Sequence, residues 1–389
     1  MNNYKTLDQK YLAHTYARWP ICIQKGKGCT LIDIDGNEYI DFTAGIGVAS
    51  LGYSHDQWVQ AVQNQSATLA HVSNLFYTEP MLKVAQSLCT KSQMKKVFFS
   101  NSGAEANEGA IKVARKYANE KYGGKRDTIL TLVNSFHGRT MATLSATGQD
   151  GFHTKFEPFP TGFDYIVAND RKSLEEKVNE HTAAIMIEMV QGEGGVNALD
   201  KDFVSAIQQI CDEKDIVLIV DEVQTGIGRC GSFFAYQQFN LHPDIVTSAK
   251  GLASGLPIGA VLMGEKVEDV FQPGDHGSTF GANPISCAAA QVVLEQMNET
   301  LYQQVQEKGQ IIKANLEKMA HVQSVSGLGL MIGAKLDVDV KEVIARCQKQ
   351  GVLFLSAKDK LRLLPPLIIS NEEIEKGMEI LKTVLEEME

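Results

Sequence analysis

Short apolar runs alternating with helical stretches are the feature that most restricts how this chain can fold. KKVFFS, DTILTLV, AAIMIEMV, IVLIVDE, DIVTSAK and GAVLMG all fall between about residues 58 and 270, several with helical stretches between them. Strands this apolar are buried on both faces, as in a mostly parallel sheet whose helices cover both sides. The expected class is therefore α/β. At 389 residues the chain is too long for one ordinary core, so a second unit is expected. CTLIDIDGNEYIDF reads as a hairpin turning at Asp35-Gly36. After the Gly-, Pro- and Asp-rich EKVEDVFQPGDHGSTFGANP come two helices, around 284–298 and 300–320, then SVSGLGLMIGAKL, VLFLS and LRLLPPL. This order of elements suggests a smaller α+β domain. The expected boundaries are an N-terminal segment at 1–57 packing with the small domain, a large domain at 58–275, and the small domain at 276–389.

Charge and composition narrow the partners. A formal net charge of −10 leaves no basic footprint for nucleic acid or an anionic membrane. No apolar run approaches the roughly 20 residues of a membrane span. The opening MNNYKTLDQKYLAHTYARW lacks the apolar core of a secretory signal. Seven cysteines, with no CxxC pair, fit free thiols in a reducing cytosol. The histidines show no HExxH or comparable spacing, so no metal is expected.

Two of the expected strands end in opposite charges: IVLIVDEVQTG carries Asp221 and DIVTSAKGLASG carries Lys250. Open α/β sheets bind ligands at the carboxyl ends of their strands. A lysine and an aspartate facing one crevice suit pyridoxal 5'-phosphate: the lysine condenses with its aldehyde and the carboxylate partners its pyridine nitrogen. The phosphate has a candidate cradle in FFSNSGAEANEGAIKVARKYA, where a strand ends at Ser100 and a helix begins near Ala104. Ser102, Gly103 and Ala104 lie at that turn, where free N–H groups and the helix dipole favour an anion. Ala110, Ile111, Ala114, Tyr117 and Ala118 recur at helical spacing and are expected to face the sheet. The nucleotide signature GxxxxGKS/T is absent.

Further candidates flank the same strand ends. In TLVNSFHGRT, Phe136 could stack on an aromatic ring and Arg139 could grip a carboxylate. Val223 and Gln224 follow Asp221 closely, and Gln224 could reach a phenolic oxygen. Glu193 lies in the glycine-rich MVQGEGG, and Ser278 and Thr279 lie in a glycine-rich loop as possible donors. Taken singly, each reads as an ordinary turn cap or a solvated charge. The set, not any member, makes the case.

With these segments in line, the chain resembles the class III, fold type I aminotransferases over essentially its whole length. SNLFYTEP, SNSGAEANEGAIKVARK, SFHGRT, QGEGG, LIVDEVQTGIGR, SAKGLASGLPIGA, GSTFGANP and LRLLPPLII carry the likeness. The resemblance implies that Lys250 is the Schiff-base lysine and proton carrier, Asp221 the partner of the pyridine nitrogen, and Gln224 the neighbour of the ring oxygen. It implies that Gly103 and Ala104 bind phosphate through the main chain and that Phe136 stacks on the ring. Thr279 would come from the partner subunit of a homodimer with a shared active site. Arg139 and Ser278 match positions that hold an acylated ornithine. Arg362 matches the arginine that takes the α-carboxylate of glutamate or 2-oxoglutarate, and Glu193 the acid that screens it.

The activity so implied moves the terminal amino group of N2-acetyl-L-ornithine to 2-oxoglutarate, a step of arginine biosynthesis, in the cytoplasm. Alternatives are another ω-amine donor (ornithine, succinylornithine or 4-aminobutyrate) or an aminomutase or decarboxylating lyase on the same scaffold. Relatives that use free ornithine carry a tyrosine where this chain has Gly45, Ile46, Gly47 and Val48, which favours an acylated donor. Met189 stands where many relatives have proline.

Overall fold

Along Val217–Asp221, Val217 and Ile219 bury in one hydrophobic cluster and Leu218 and Val220 in the other. Ala184 and Met186 alternate with Ile185 and Ile187 in the same way. Strands with two buried faces have no polar face to show, which is why these runs are continuously apolar. The computed structural model describes residues 2–388. Its central sheet has seven strands: β1 (Lys96–Ser100), β2 (Thr128–Leu132), β3 (Phe163–Ile166), β4 (Thr182–Ile187), β5 (Val217–Asp221), β6 (Ile245–Ser248) and β7 (Gly259–Met263). Their order is β1-β7-β6-β5-β4-β2-β3. Only β7 runs against its neighbours; the other pairings are parallel.

The sequence reading missed β3. It is a four-residue edge strand in which only Ile166 is fully enclosed, so its apolar run is too short to stand out.

Helix α1 (Gly103–Tyr122) follows β1 directly, beginning one residue earlier than expected. Ser102 caps it, its side chain accepting from the Glu105 N–H at 3.2 Å. Ala110, Ile111, Ala114 and Ala118 are buried and Tyr117 packs partly buried on the same cluster. The helix ends at Gly123, whose φ of 60° suits a residue without a Cβ.

The N-terminal hairpin forms at the expected place, between Thr30–Asp33 and Glu38–Asp41, with Gly36 at φ +86°. Its second strand also pairs in parallel with Val352–Leu353, so the first and last parts of the chain share a sheet. A separate antiparallel sheet contains Val322–Leu328, Met331–Leu336, Lys360–Leu363 and Leu355–Ala357, in that order. Arg229, fully buried, donates from Nη1 to the carbonyls of Leu330 and Pro365 and so ties the loop after β5 to this C-terminal region. All seven cysteines are free. No helix among the described residues is long and apolar enough to cross a membrane.

Candidate active site

The parallel strands all deliver their carboxyl ends to one side of the sheet, and a cavity of about 430 Å³ opens there. β5 contributes Asp221 as its last residue, and β6 is followed two residues later by Lys250; both line the cavity. Lys250 has φ +42°, a left-handed conformation that costs a non-glycine residue roughly 1–2 kcal/mol. The turn Lys250–Ala253 holds it there. Burial pushes the lysine amine below its ordinary range, against the raising charges of Glu193 and Asp221. A lysine so placed spends more of its time as the free nucleophile and base.

Asp221 is almost fully buried and every oxygen is engaged. Oδ2 accepts from Asn107 Nδ2 at 2.7 Å and lies 2.8 Å from His137 Nδ1; Oδ1 accepts from the Val223 N–H at 3.0 Å. Asn107 is itself held, accepting from Thr247 Oγ1 at 2.7 Å and donating to the His137 carbonyl at 2.8 Å. Burial disfavours the His137 cation, yet the Asp221 bond and charge, with Glu188, outweigh it and raise His137 above its usual value. Glu188 also lines the cavity, pushed up to about 8 by burial, and accepts the Phe136 N–H at 3.0 Å.

These supporting residues were missed in the sequence. Asn107 had a signal: it falls on the stripe of α1 that carries Ala110, Ala114 and Ala118, a polar residue on a sheet-facing line. His137 sits inside SFHGRT, but nothing local points it at Asp221. Glu188 carried the signal of a charge just past the apolar strand β4, and Thr247 carries none beyond being a polar residue in an apolar strand.

Ser102, Gly103, Ala104, Phe136, Arg139, Val223 and Gln224 all line the same cavity. Gly103 is required by contact: a Cβ there would stand 2.6 Å from Val223 Cγ1. The N-terminus of α1 can therefore lie directly over the residues that follow Asp221. Arg139 is exposed at the mouth, its guanidinium 4.0 Å from the centre of the Phe152 ring and 5.4 Å from that of Phe136.

Arg362 and Glu193 stand apart from that lining but close to it, and both act electrostatically on Lys250. Arg362 is buried and its Nη1 donates to Glu193 Oε1 at 2.5 Å. Burial alone would raise the Glu193 carboxyl, but the Arg362 charge prevails and lowers it. Ser278 Oγ accepts from Asn101 Nδ2 at 3.1 Å, one residue behind the cavity wall. Thr279 is exposed and lies outside this cavity.

The parts present fit pyridoxal 5'-phosphate on independent grounds. A half-enclosed lysine, a braced carboxylate, a helix start and an aromatic wall share one cavity. Gln224 adds a buried side-chain oxygen with no partner among the described residues, so that oxygen is open to a ligand donor, while the same side chain also hydrogen-bonds Glu193. Among the described residues no group of three or more His, Cys, Asp or Glu could hold a metal ion.

The model of the family "Aminotransferase class-III" matches residues 11–385. The acetylornithine aminotransferase of Haemophilus ducreyi is 55% identical over 387 residues, 99% of this chain and 98% of that one. That of Methanocaldococcus jannaschii is 44% identical over 392 residues, 99% and 98% of the two chains. Among solved structures, the N-acetylornithine aminotransferase of Stenotrophomonas maltophilia matches at TM-score 0.84 and 34% identity, covering 98% of each chain. The ornithine aminotransferase of Toxoplasma gondii matches at TM-score 0.93 and 32% identity, covering 99% of this chain and 94% of that one.

The chain belongs to the class-III aminotransferases. It is accordingly a transaminase that depends on pyridoxal 5'-phosphate, on the fold type I scaffold.

Proposed function

We propose that this enzyme moves the terminal amino group of N2-acetyl-L-ornithine to 2-oxoglutarate, giving N-acetyl-L-glutamate 5-semialdehyde and L-glutamate. The observation that carries the reading is the Arg362–Glu193 pair beside Lys250, at 2.5 Å. An acylated ornithine brings one carboxylate and a neutral amide; 2-oxoglutarate brings two carboxylates. A site that serves both in turn needs a guanidinium masked in one half-reaction and open in the other. Glu193 supplies the mask. The names of the relatives point the same way.

Bound pyridoxal 5'-phosphate supplies an aldehyde that takes up the amino group and a ring that withdraws electrons. Asp221, braced by Asn107, His137 and the Val223 N–H, would hold the ring nitrogen through its carboxylate. The N-terminus of α1, at its cap Ser102 and at Gly103 and Ala104, would hold the phosphate, and Phe136 would stack on the ring. Gln224, which lines the same cavity, would neighbour the ring oxygen. Lys250 Nζ removes a proton from the terminal carbon of the donor, and in the second half-reaction delivers one to the α-carbon of the new glutamate. Arg139 and Ser278 hold the acylornithine end. Thr279, exposed here, serves the site of a partner subunit, so the working form is a homodimer, acting in the cytoplasm.

The test is a single-turnover comparison of donors, followed by the absorbance of the bound cofactor. Acetylornithine must outpace ornithine, succinylornithine and 4-aminobutyrate; a faster reaction with ornithine would overturn the donor assignment. Glutamate must appear in proportion to 2-oxoglutarate consumed, which a mutase or lyase would not give.

A further inference from the structure

Arg362 does not stand alone on its strand. Lys360, two residues earlier, lies on the same face by the two-residue period of a strand, while Leu361 and Leu363 on the other face are fully buried. Both polar side chains reach one short hairpin, Val190–Gln191 paired with Asn197–Ala198. Arg362 bonds Glu193 and, at 3.4 Å, the Gly192 carbonyl; Lys360 Nζ bonds Asn197 Oδ1 at 2.9 Å. Asn197 in turn donates to the Gly194 carbonyl at 3.0 Å, which fixes it to the tip that carries Glu193. Lys360 also donates to Ser326 Oγ at 2.9 Å, anchoring it on its own sheet.

The two contacts differ in what a substrate does to them. A dicarboxylate that takes Arg362 must break the Arg362–Glu193 pair, and of the Arg362 contacts to the hairpin only the 3.4 Å bond to the Gly192 carbonyl is then left. The Lys360–Asn197 contact touches no substrate and stays made. We infer that Lys360 and Asn197 form an outer clamp that keeps Arg362 in register while Glu193 is displaced, which makes Lys360 a positioning residue for the dicarboxylate half-reaction. This rests on the reading above that Arg362 takes a carboxylate of 2-oxoglutarate. When Glu193 stays paired, as with the acylated donor, the inner contact suffices and the clamp is dispensable.

The holoenzyme variants Lys360→Met and Asn197→Ala test it. The KM for 2-oxoglutarate should rise about 5-fold or more, and competitive inhibition by glutarate, a plain dicarboxylate, should weaken in parallel. The KM for the amino donor should stay within about twofold, and Lys360→Arg, which can still reach Asn197, should restore the 2-oxoglutarate value. Equal effects on both substrates together with a lowered Tm would mean a merely structural contact and would overturn the clamp. Arg362→Lys is the control that separates the two ideas. If it leaves the 2-oxoglutarate KM unmoved, the role of Arg362 falls and the clamp with it. If it raises that KM while Lys360→Met and Asn197→Ala do not, the clamp alone falls.

Discussion

His137 Nδ1 lies 2.8 Å from Asp221 Oδ2, with the histidine fully enclosed and the aspartate 4% exposed. A hydrogen bond to a charged group contributes about 1.5–3 kcal/mol. Replacing His137 by glutamine should therefore lower kcat by roughly 10- to 150-fold if the bond acts on the reacting state. Steady-state kinetics at saturating substrates check it. The pair also has a pH signature. His137 is raised in the folded state, so its contribution to stability is complete below about pH 6.5 and fades as pH climbs through the higher folded value. Tm measured across that range should lose this slope in the variant.

Glu222 makes a pH prediction of the opposite origin. It is fully buried, accepts from Thr225 Oγ1 at 2.5 Å and the Tyr236 N–H at 2.8 Å, and is pushed from an ordinary 4.5 up to about 7 by burial. Between those values the folded state holds a proton that the unfolded state has released, so stability falls as pH rises across the window. A shift of this size corresponds to about 3 kcal/mol by the end of it. Glu222→Gln should flatten the dependence, read as denaturant midpoints at pH 5 and pH 8.

Gly103→Ala places a Cβ 2.6 Å from Val223 Cγ1, at the start of the helix that is to hold phosphate. Overpacking of this kind costs about 1–3 kcal/mol. Cofactor titrated into the apoenzyme should bind about 10-fold more weakly, and adding Val223→Ala should recover most of the loss. Unchanged binding would remove α1 from the phosphate site.

Glu193→Ala unmasks Arg362, which is buried and has this carboxylate as its partner. The KM for acetylornithine should rise several-fold and that for 2-oxoglutarate should fall, with substrate inhibition by 2-oxoglutarate appearing at lower concentration. Equal Michaelis constants in variant and parent would sink the masking role.

Thr279 allows a complementation test of the shared site. Lys250→Ala subunits and Thr279→Ala subunits, each weak or inactive alone, should regain activity on mixing and re-association. In the hybrid, one site combines an intact Lys250 with an intact Thr279 from the other chain. If Thr279 serves its own subunit, no recovery follows.

Much of the fold was legible because its signals are periodic. Six of the seven sheet strands stood out as apolar runs, and the sheet-facing stripe of α1 followed from helical spacing. Only β3 failed, since an edge strand with one enclosed residue leaves no run to see. The chemical residues at strand ends, Asp221 and Lys250, were visible as charges that interrupt apolar segments, and the glycine-bearing turns beside them marked where a helix begins.

What the tertiary structure decided is which distant groups meet. Asn107 reaches Asp221 across 114 residues, His137 across 84, and Arg362 reaches Glu193 across 169. No period in a chain encodes such a pairing. A local pattern reports only which face of an element is buried, whereas a hydrogen bond depends on where two faces arrive after packing. That packing also removes water, turning an ordinary lysine and an ordinary histidine into groups whose proton affinities answer to their neighbours.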